Sequence, residues 1–120
     1  DGHCRFLHGY DRWVEITWEG DRDDRGWVVD FGGLTEVKNW LDEMYDHTVL
    51  LSDDDPYLET FKALAVSDVL DLRVTDPTME GMALAVAAFV EHWTSETHPN
   101  ATVIRVRCWE NDKNSATWKR

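Results

Sequence analysis

Met79, Met82, Ala83, Val86, Phe89, Val90 and Trp93 recur at helical spacing, so a helix over this stretch carries one continuous apolar stripe. A helix of that kind must lay the stripe against a second layer, which rules out an isolated or extended chain. Asp76-Pro77 predicts where it begins, with Asp76 as the N-cap and Pro77 at the first helical position. Thr97-His98-Pro99-Asn100 ends it.

The second layer reads as a sheet. Arg12–Glu19 puts Val14, Ile16 and Trp18 on one face and Glu15, Thr17 and Glu19 on the other, the period of a half-buried strand. A charged, glycine-bounded turn follows. Trp27–Phe31 then reads as a second strand, paired antiparallel with the first as a hairpin. Thr102–Trp109 alternates again, with Ile104, Val106 and Cys108 facing one way, and Ala116–Lys119 reads as a last short strand. Leu34, Val37, Leu41 and Met44 predict another helix, ending at Asp46-His47. A short helix over Pro56–Val66 and a brief strand at Asp71–Val74 complete the order. The expected fold is α+β: one antiparallel sheet with two main helices on one face. Trp13, Trp18, Trp27, Trp109 and Trp118 all fall on predicted strands, as core or subunit-interface residues.

The length of 120 residues suits one domain over 1–120. With 24 acidic residues against 12 Lys and Arg, the formal net charge of −12 argues against nucleic acid or an anionic membrane as partner. No apolar run approaches the ~20 residues that span a bilayer. Two cysteines, Cys4 and Cys108, are too few for a disulfide framework, so reduced thiols in the cytoplasm are expected.

Six residues bear on chemistry before any resemblance is considered. Cys4 and His8 lie close enough in sequence for a thiol and an imidazole to share a site, although from the pair alone a buried Cys beside a surface His is the better reading. Asp46-His47 places a carboxylate next to an imidazole, able to orient a base or simply to end a helix. Thiols ionise near pH 8.5 unaided, so a nucleophilic or proton-transferring Cys4 needs such a neighbour. Glu80 falls in the first turn of the long helix, where the dipole favours an acid regardless of function, and Glu110 ends a strand.

Taken in order, Cys4, His8-Gly9-Tyr10, Val29-Asp30-Phe31, Asp46-His47, Pro77-Thr78-Met79-Glu80-Gly81 and Glu110 resemble the 6-pyruvoyl- and 6-carboxytetrahydropterin synthases of the tunnelling fold, along nearly the whole chain. The short spacing from Cys4 to His8 is more similar to the 6-carboxy branch, which feeds 7-deazaguanine (queuosine-type) synthesis. The resemblance implies a zinc-dependent lyase acting on 7,8-dihydroneopterin triphosphate. It implies Cys4, Asp46 and His47 as catalytic residues, and Thr78, Glu80 and Glu110 as substrate-binding residues, with Glu110 clamping the guanidine-like edge of the pterin. It also implies a homo-oligomer, trimer or hexamer, assembled through the sheet with sites between subunits.

Two departures accompany the match. The family holds zinc with three histidines, one upstream of the Cys and two in His-Gly-His. Here His8 keeps one place, Tyr10 stands in the other, and His3 is a further imidazole that could stand in. The family also opens with a strand carrying the upstream His; the expectation is either that this sequence starts short of that strand and its ligand or that the protein is truncated. The rival reading is a catalytically degenerate family member serving as an oligomeric binding or scaffold subunit. Gly81 in place of the family's Asn is a smaller departure.

Overall fold

The computed structural model describes Leu7, residues 9–111 and residues 113–120. Cys4, His3 and His8 lie outside the described residues. Strand β1 (Trp13–Gly20) pairs antiparallel with β4 (Ala101–Asn111), which takes β5 (Asn114–Lys119) on its other side, giving the order β1-β4-β5.

Helix α3 (Met79–Thr97) lies on one face of this sheet and buries Met82, Ala83, Val86, Val90 and Trp93 against Val103, Val106 and Cys108. Val86, Val90 and Val106 are wholly excluded from solvent, each worth roughly 1.5–3 kcal/mol. Helix α1 (Thr35–Tyr45) packs on α3 through Trp40, stacked on Phe89 with centroids 4.5 Å apart and planes 9° from parallel. The α+β fold, with an antiparallel sheet and helices on one face, is therefore as the sequence implies.

The hairpin between the first strand and Trp27–Phe31 does not form. Strand β1 takes its partner from the far end of the chain, and side chains satisfy the backbone of the 27–32 stretch instead. Asp23 Oδ1 accepts from the Trp27 N–H, the Asn100 amide donates to Val28 O, and His98 Nε2 accepts from the Asp30 N–H. Asp30 in turn accepts from the Gly32 N–H and starts a 3₁₀ turn at Phe31–Leu34.

Strand β4 also departs from simple alternation. Thr17 opposes Arg105 and Trp18 opposes Val103, leaving Ile104 as an extra residue, so Val103 and not Ile104 faces inward with Val106 and Cys108. A second irregularity separates the pairs Trp109–Ser115 and Asn111–Asn114 and leaves Glu110 as the extra residue.

The long helix starts later than Asp76-Pro77 suggested. Thr78 is the N-cap, its Oγ1 accepting from the Gly81 N–H at 2.9 Å. Asp76 sits one step back, its Oδ1 accepting from both the N–H and the hydroxyl of Thr78. The Asp thus caps the cap, and Pro77 precedes the helix.

Short strands β2 (Val49–Leu51) and β3 (Leu72–Val74) form a separate parallel pair, with α2 (Leu58–Val66) between them in sequence. Arg73 fastens this pair to α1 by donating to Glu43 O at 2.8 Å. The Asp71–Val74 strand was legible, but its three-residue partner is too short to show a period.

Candidate functional site

A cleft of about 710 Å³ opens where four pieces of chain meet: the stretch leading into β1, the end of α1, strand β2, and the entry to α3. Tyr10, Arg12, Tyr45, Asp46, His47, Pro77 and Met82 are among its walls. A volume of this order takes a small organic ligand. A second cleft of about 730 Å³ runs along β1 beside Trp27–Gly32, but among its lining residues Asp30 is the sole ionisable group. The first is the candidate site.

The end of α1 sets up one wall. The Asp46 N–H still bonds to Asp42 O, after which His47 takes the left-handed backbone conformation, φ 57°. Few non-glycine residues adopt this region, and it turns the chain sharply into β2. Thr48 Oγ1 donates back to Met44 O at 2.8 Å and fixes the turn. The imidazole Nδ1 of His47 stands 2.9 Å from Asp46 Oδ1. With the proton on Nδ1, the carboxylate orients the ring and leaves Nε2 as an acceptor at the cleft rim. The two side chains are 62% and 92% exposed for Asp46 and His47, open to a ligand.

Arg12 lines the cleft from the stretch leading into β1. One terminal nitrogen donates to Pro77 O at 2.7 Å and to Tyr10 Oη at 2.9 Å, and the other approaches Met82 Sδ at 3.6 Å. The guanidinium also lies 5.3 Å from the Tyr10 ring centroid. These contacts tie the segment before β1 to the loop before α3. Beneath, burial pushes the Cys108 thiol up to about 11, with Arg12 opposing. Burial likewise pushes the Tyr45 hydroxyl up to about 12, reinforced by Cys108 and again opposed by Arg12. Both groups are neutral at physiological pH, so Arg12 is the fixed charge next to them. The sequence reading took Arg12 only as the first residue of a strand, and nothing in its neighbours marked it out.

The remaining expected residues are distributed differently. Thr78 spends its hydroxyl on the helix cap, Glu80 is exposed in the first turn of α3, and neither lines the cleft. A Cβ on Gly81 would fall 2.3 Å from Asp76 Cγ, so an asparagine there requires Asp76 to leave its place beneath Thr78. Glu110, set apart by its bulge, accepts from Asn114 Nδ2 through Oε1, while Oε2 is buried with no hydrogen-bond partner among the described residues. It too lies outside the cleft walls.

Tyr10 does not fit as a ligand of the zinc that the resemblance implies. Tyr10 Oη, standing where the family has a histidine, already holds the Arg12 guanidinium, and a metal ion there would meet a second cation. Among the described residues no group of three His, Cys, Asp or Glu is placed to hold a metal.

A family model described as 6-pyruvoyl tetrahydropterin synthase matches residues 1–120. The chain is 33% identical over 87 residues to a probable 6-carboxy-5,6,7,8-tetrahydropterin synthase of Halobacterium salinarum, covering 72% of this chain and 55% of that protein. It is 33% identical over 82 residues to the 6-carboxy-5,6,7,8-tetrahydropterin synthase of Rickettsia felis, covering 67% and 59%. The chain thus spans little more than half the length of these relatives. A putative 6-carboxy-5,6,7,8-tetrahydropterin synthase of Pyrococcus abyssi is 29% identical over 123 residues, covering 97% of this chain and 76% of that protein. The fold is shared with an uncharacterised protein from Wolinella succinogenes, at a TM-score of 0.80 and 22% identity, over 98% of this chain and 81% of that one. With the family match running from end to end, the chain belongs to the 6-pyruvoyl tetrahydropterin synthase family.

Proposed function

We propose that the chain is a subunit of a pterin synthase of the 6-carboxy type, acting on 7,8-dihydroneopterin triphosphate in 7-deazaguanine synthesis. The observation that carries this reading is the Asp46–His47 pair, hydrogen-bonded at 2.9 Å on the rim of a cleft of about 710 Å³. A carboxylate-oriented imidazole facing a ligand-sized space is suited to moving protons on a bound side chain. Cys4 would be its thiol partner. Glu110 would receive the planar N–H pair of the pterin, a role that suits a carboxylate with one oxygen still unpartnered. Its place outside the cleft walls favours a site completed by a neighbouring copy in a trimer or hexamer.

A zinc ion, where bound, would polarise the side-chain oxygens. Its ligands would have to include His8 and His3 or groups beyond them. A cytoplasmic location agrees with Cys108 standing as a free, buried thiol among the described residues.

The deciding experiment is turnover of 7,8-dihydroneopterin triphosphate by the purified protein and by Cys4→Ala and His47→Ala. Loss of activity in both variants supports the assignment. Unchanged activity in Cys4→Ala removes the thiol from it. The contact between Arg12 and Tyr10 favours a second reading, in which the chain keeps the fold and a pocket without the chemistry. A wild-type protein that binds a pterin without converting it would establish that reading.

A further inference from the structure

We propose that Arg12 forms an anion subsite in the cleft, docking a phosphate-type oxyanion of the ligand. The guanidinium is half-buried, yet among the described residues no carboxylate pairs with it, in a chain whose acidic residues outnumber its Lys and Arg by 24 to 12. Partly buried charges are ordinarily paired, because desolvation costs more than neutral partners return. Its three hydrogen-bond acceptors among the described residues, Pro77 O, Tyr10 Oη and Met82 Sδ, are uncharged. They fix the orientation of the guanidinium without neutralising it. Of the five N–H groups of an arginine, those on Nε and one on the second terminal nitrogen stay uncommitted among the described residues, and each, on its own edge of the guanidinium, can donate to an oxyanion.

The cleft wall around Arg12 also carries Asp11, Asp42 and Asp46. These carboxylates repel a diffuse anion, so an oxyanion is held by direct contact with the guanidinium or not at all. Under the pterin-synthase reading, on which this last assignment rests, the docked group is the triphosphate arm. The reacting side chain then shares the cleft with the Asp46–His47 pair.

The test is calorimetric titration of inorganic triphosphate into the wild-type protein, Arg12→Met and Arg12→Lys, with a thermal melt of each. Wild type is expected to bind, Arg12→Met to bind at least about tenfold more weakly, and Arg12→Lys to fall between them, since it keeps the charge and loses the anchored planar donors. No binding by wild type, or equal binding by wild type and Arg12→Met, overturns the proposal. Should Arg12→Met fail to melt cooperatively, Arg12→Lys decides alone: affinity unchanged from wild type in 50 mM and in 500 mM salt overturns it. Triphosphate binding through Arg12 without turnover of the pterin leaves the subsite standing and sinks the synthase reading. Turnover with triphosphate affinity independent of Arg12 does the reverse.

Discussion

Trp18 Nε1–H donates to Thr94 Oγ1 across 2.9 Å, joining the sheet to the long helix at a hydroxyl that is 2% exposed. Trp18 also meets Trp93 edge-on, with centroids 6.5 Å apart. Replacing Thr94 by Val keeps the shape and strands the indole N–H, which costs about 1–3 kcal/mol. Thr94→Ser retains the acceptor and is expected to cost less. Urea denaturation separates the two, and a Thr94→Val variant as stable as wild type would show that the bond contributes nothing.

The bond was not visible in the sequence, although the residues that make it were. Val14, Ile16 and Trp18 alternate, and Met79 to Trp93 repeat at helical spacing, because each faces one uninterrupted layer. Legibility failed where a side chain takes over the work of a strand or helix. Trp27–Phe31 looks like a strand by composition, but Asn100, His98 and Asp23 satisfy its backbone from other parts of the chain. Ile104 and Glu110 are set by bulges, whose placement depends on the partner strand. At the site, the adjacency of Asp46 and His47 made the pair legible. Arg12 gains its meaning only from Pro77 and Met82, both more than sixty residues away.

The approach of Gly20 to Asn100 gives a second prediction. A Cβ on Gly20 would lie 2.1 Å from Asn100 O and 2.8 Å from Ala101 Cα, both backbone atoms that cannot swing aside. Gly20→Ala must therefore part β1 from the start of β4, where the two pair at Gly20–Ala101. A loss of about 1–3 kcal/mol is expected, as for other overpacked sites. Asn100 also pins the following loop through Asp21 O and Val28 O, so amide exchange should quicken around Val28 as well as Gly20. Exchange confined to Gly20 would show that the loop holds independently.

His47 offers a way to separate chemistry from stability. Its left-handed backbone, φ 57°, suits glycine better than any residue with a Cβ. His47→Gly is expected to hold or slightly raise the melting temperature while abolishing turnover. His47→Ala should lose turnover and also some stability. If His47→Gly melts markedly lower, the imidazole is supporting the turn into β2 and its assignment as a base loses force.

High pH should weaken the fold in a defined window. Cys108 titrates at about 11 in the folded chain against 9.0 for a free thiol, and Tyr45 at about 12 against 10.0. Raised values mean that the folded state holds its protons more tightly than the unfolded state, so the stability they contribute is complete below pH 9. It is lost as pH rises through 9–11 for the thiol and 10–12 for the phenol. Denaturation midpoints should fall over this range, and Cys108→Ala should remove the earlier part of the decline. A midpoint flat to pH 11 would mean that neither group is held neutral by the fold.

Zinc content tests the reading of Tyr10 and Arg12 directly. The phenol oxygen lies 2.9 Å from a guanidinium nitrogen, so a dication placed there meets like-charge repulsion. Well under one zinc per chain is therefore expected from elemental analysis of the purified protein. Restoring the family's histidine while removing the competing cation, in a Tyr10→His, Arg12→Phe double variant, should raise the zinc content. Tyr10→His alone should raise it less, because the guanidinium stays. Near one zinc per chain in the wild type would place the metal on ligands other than Tyr10 and leave Arg12 as a second positive charge beside it. The triphosphate affinity of Arg12→Met would then report how much of the anion's binding each cation carries.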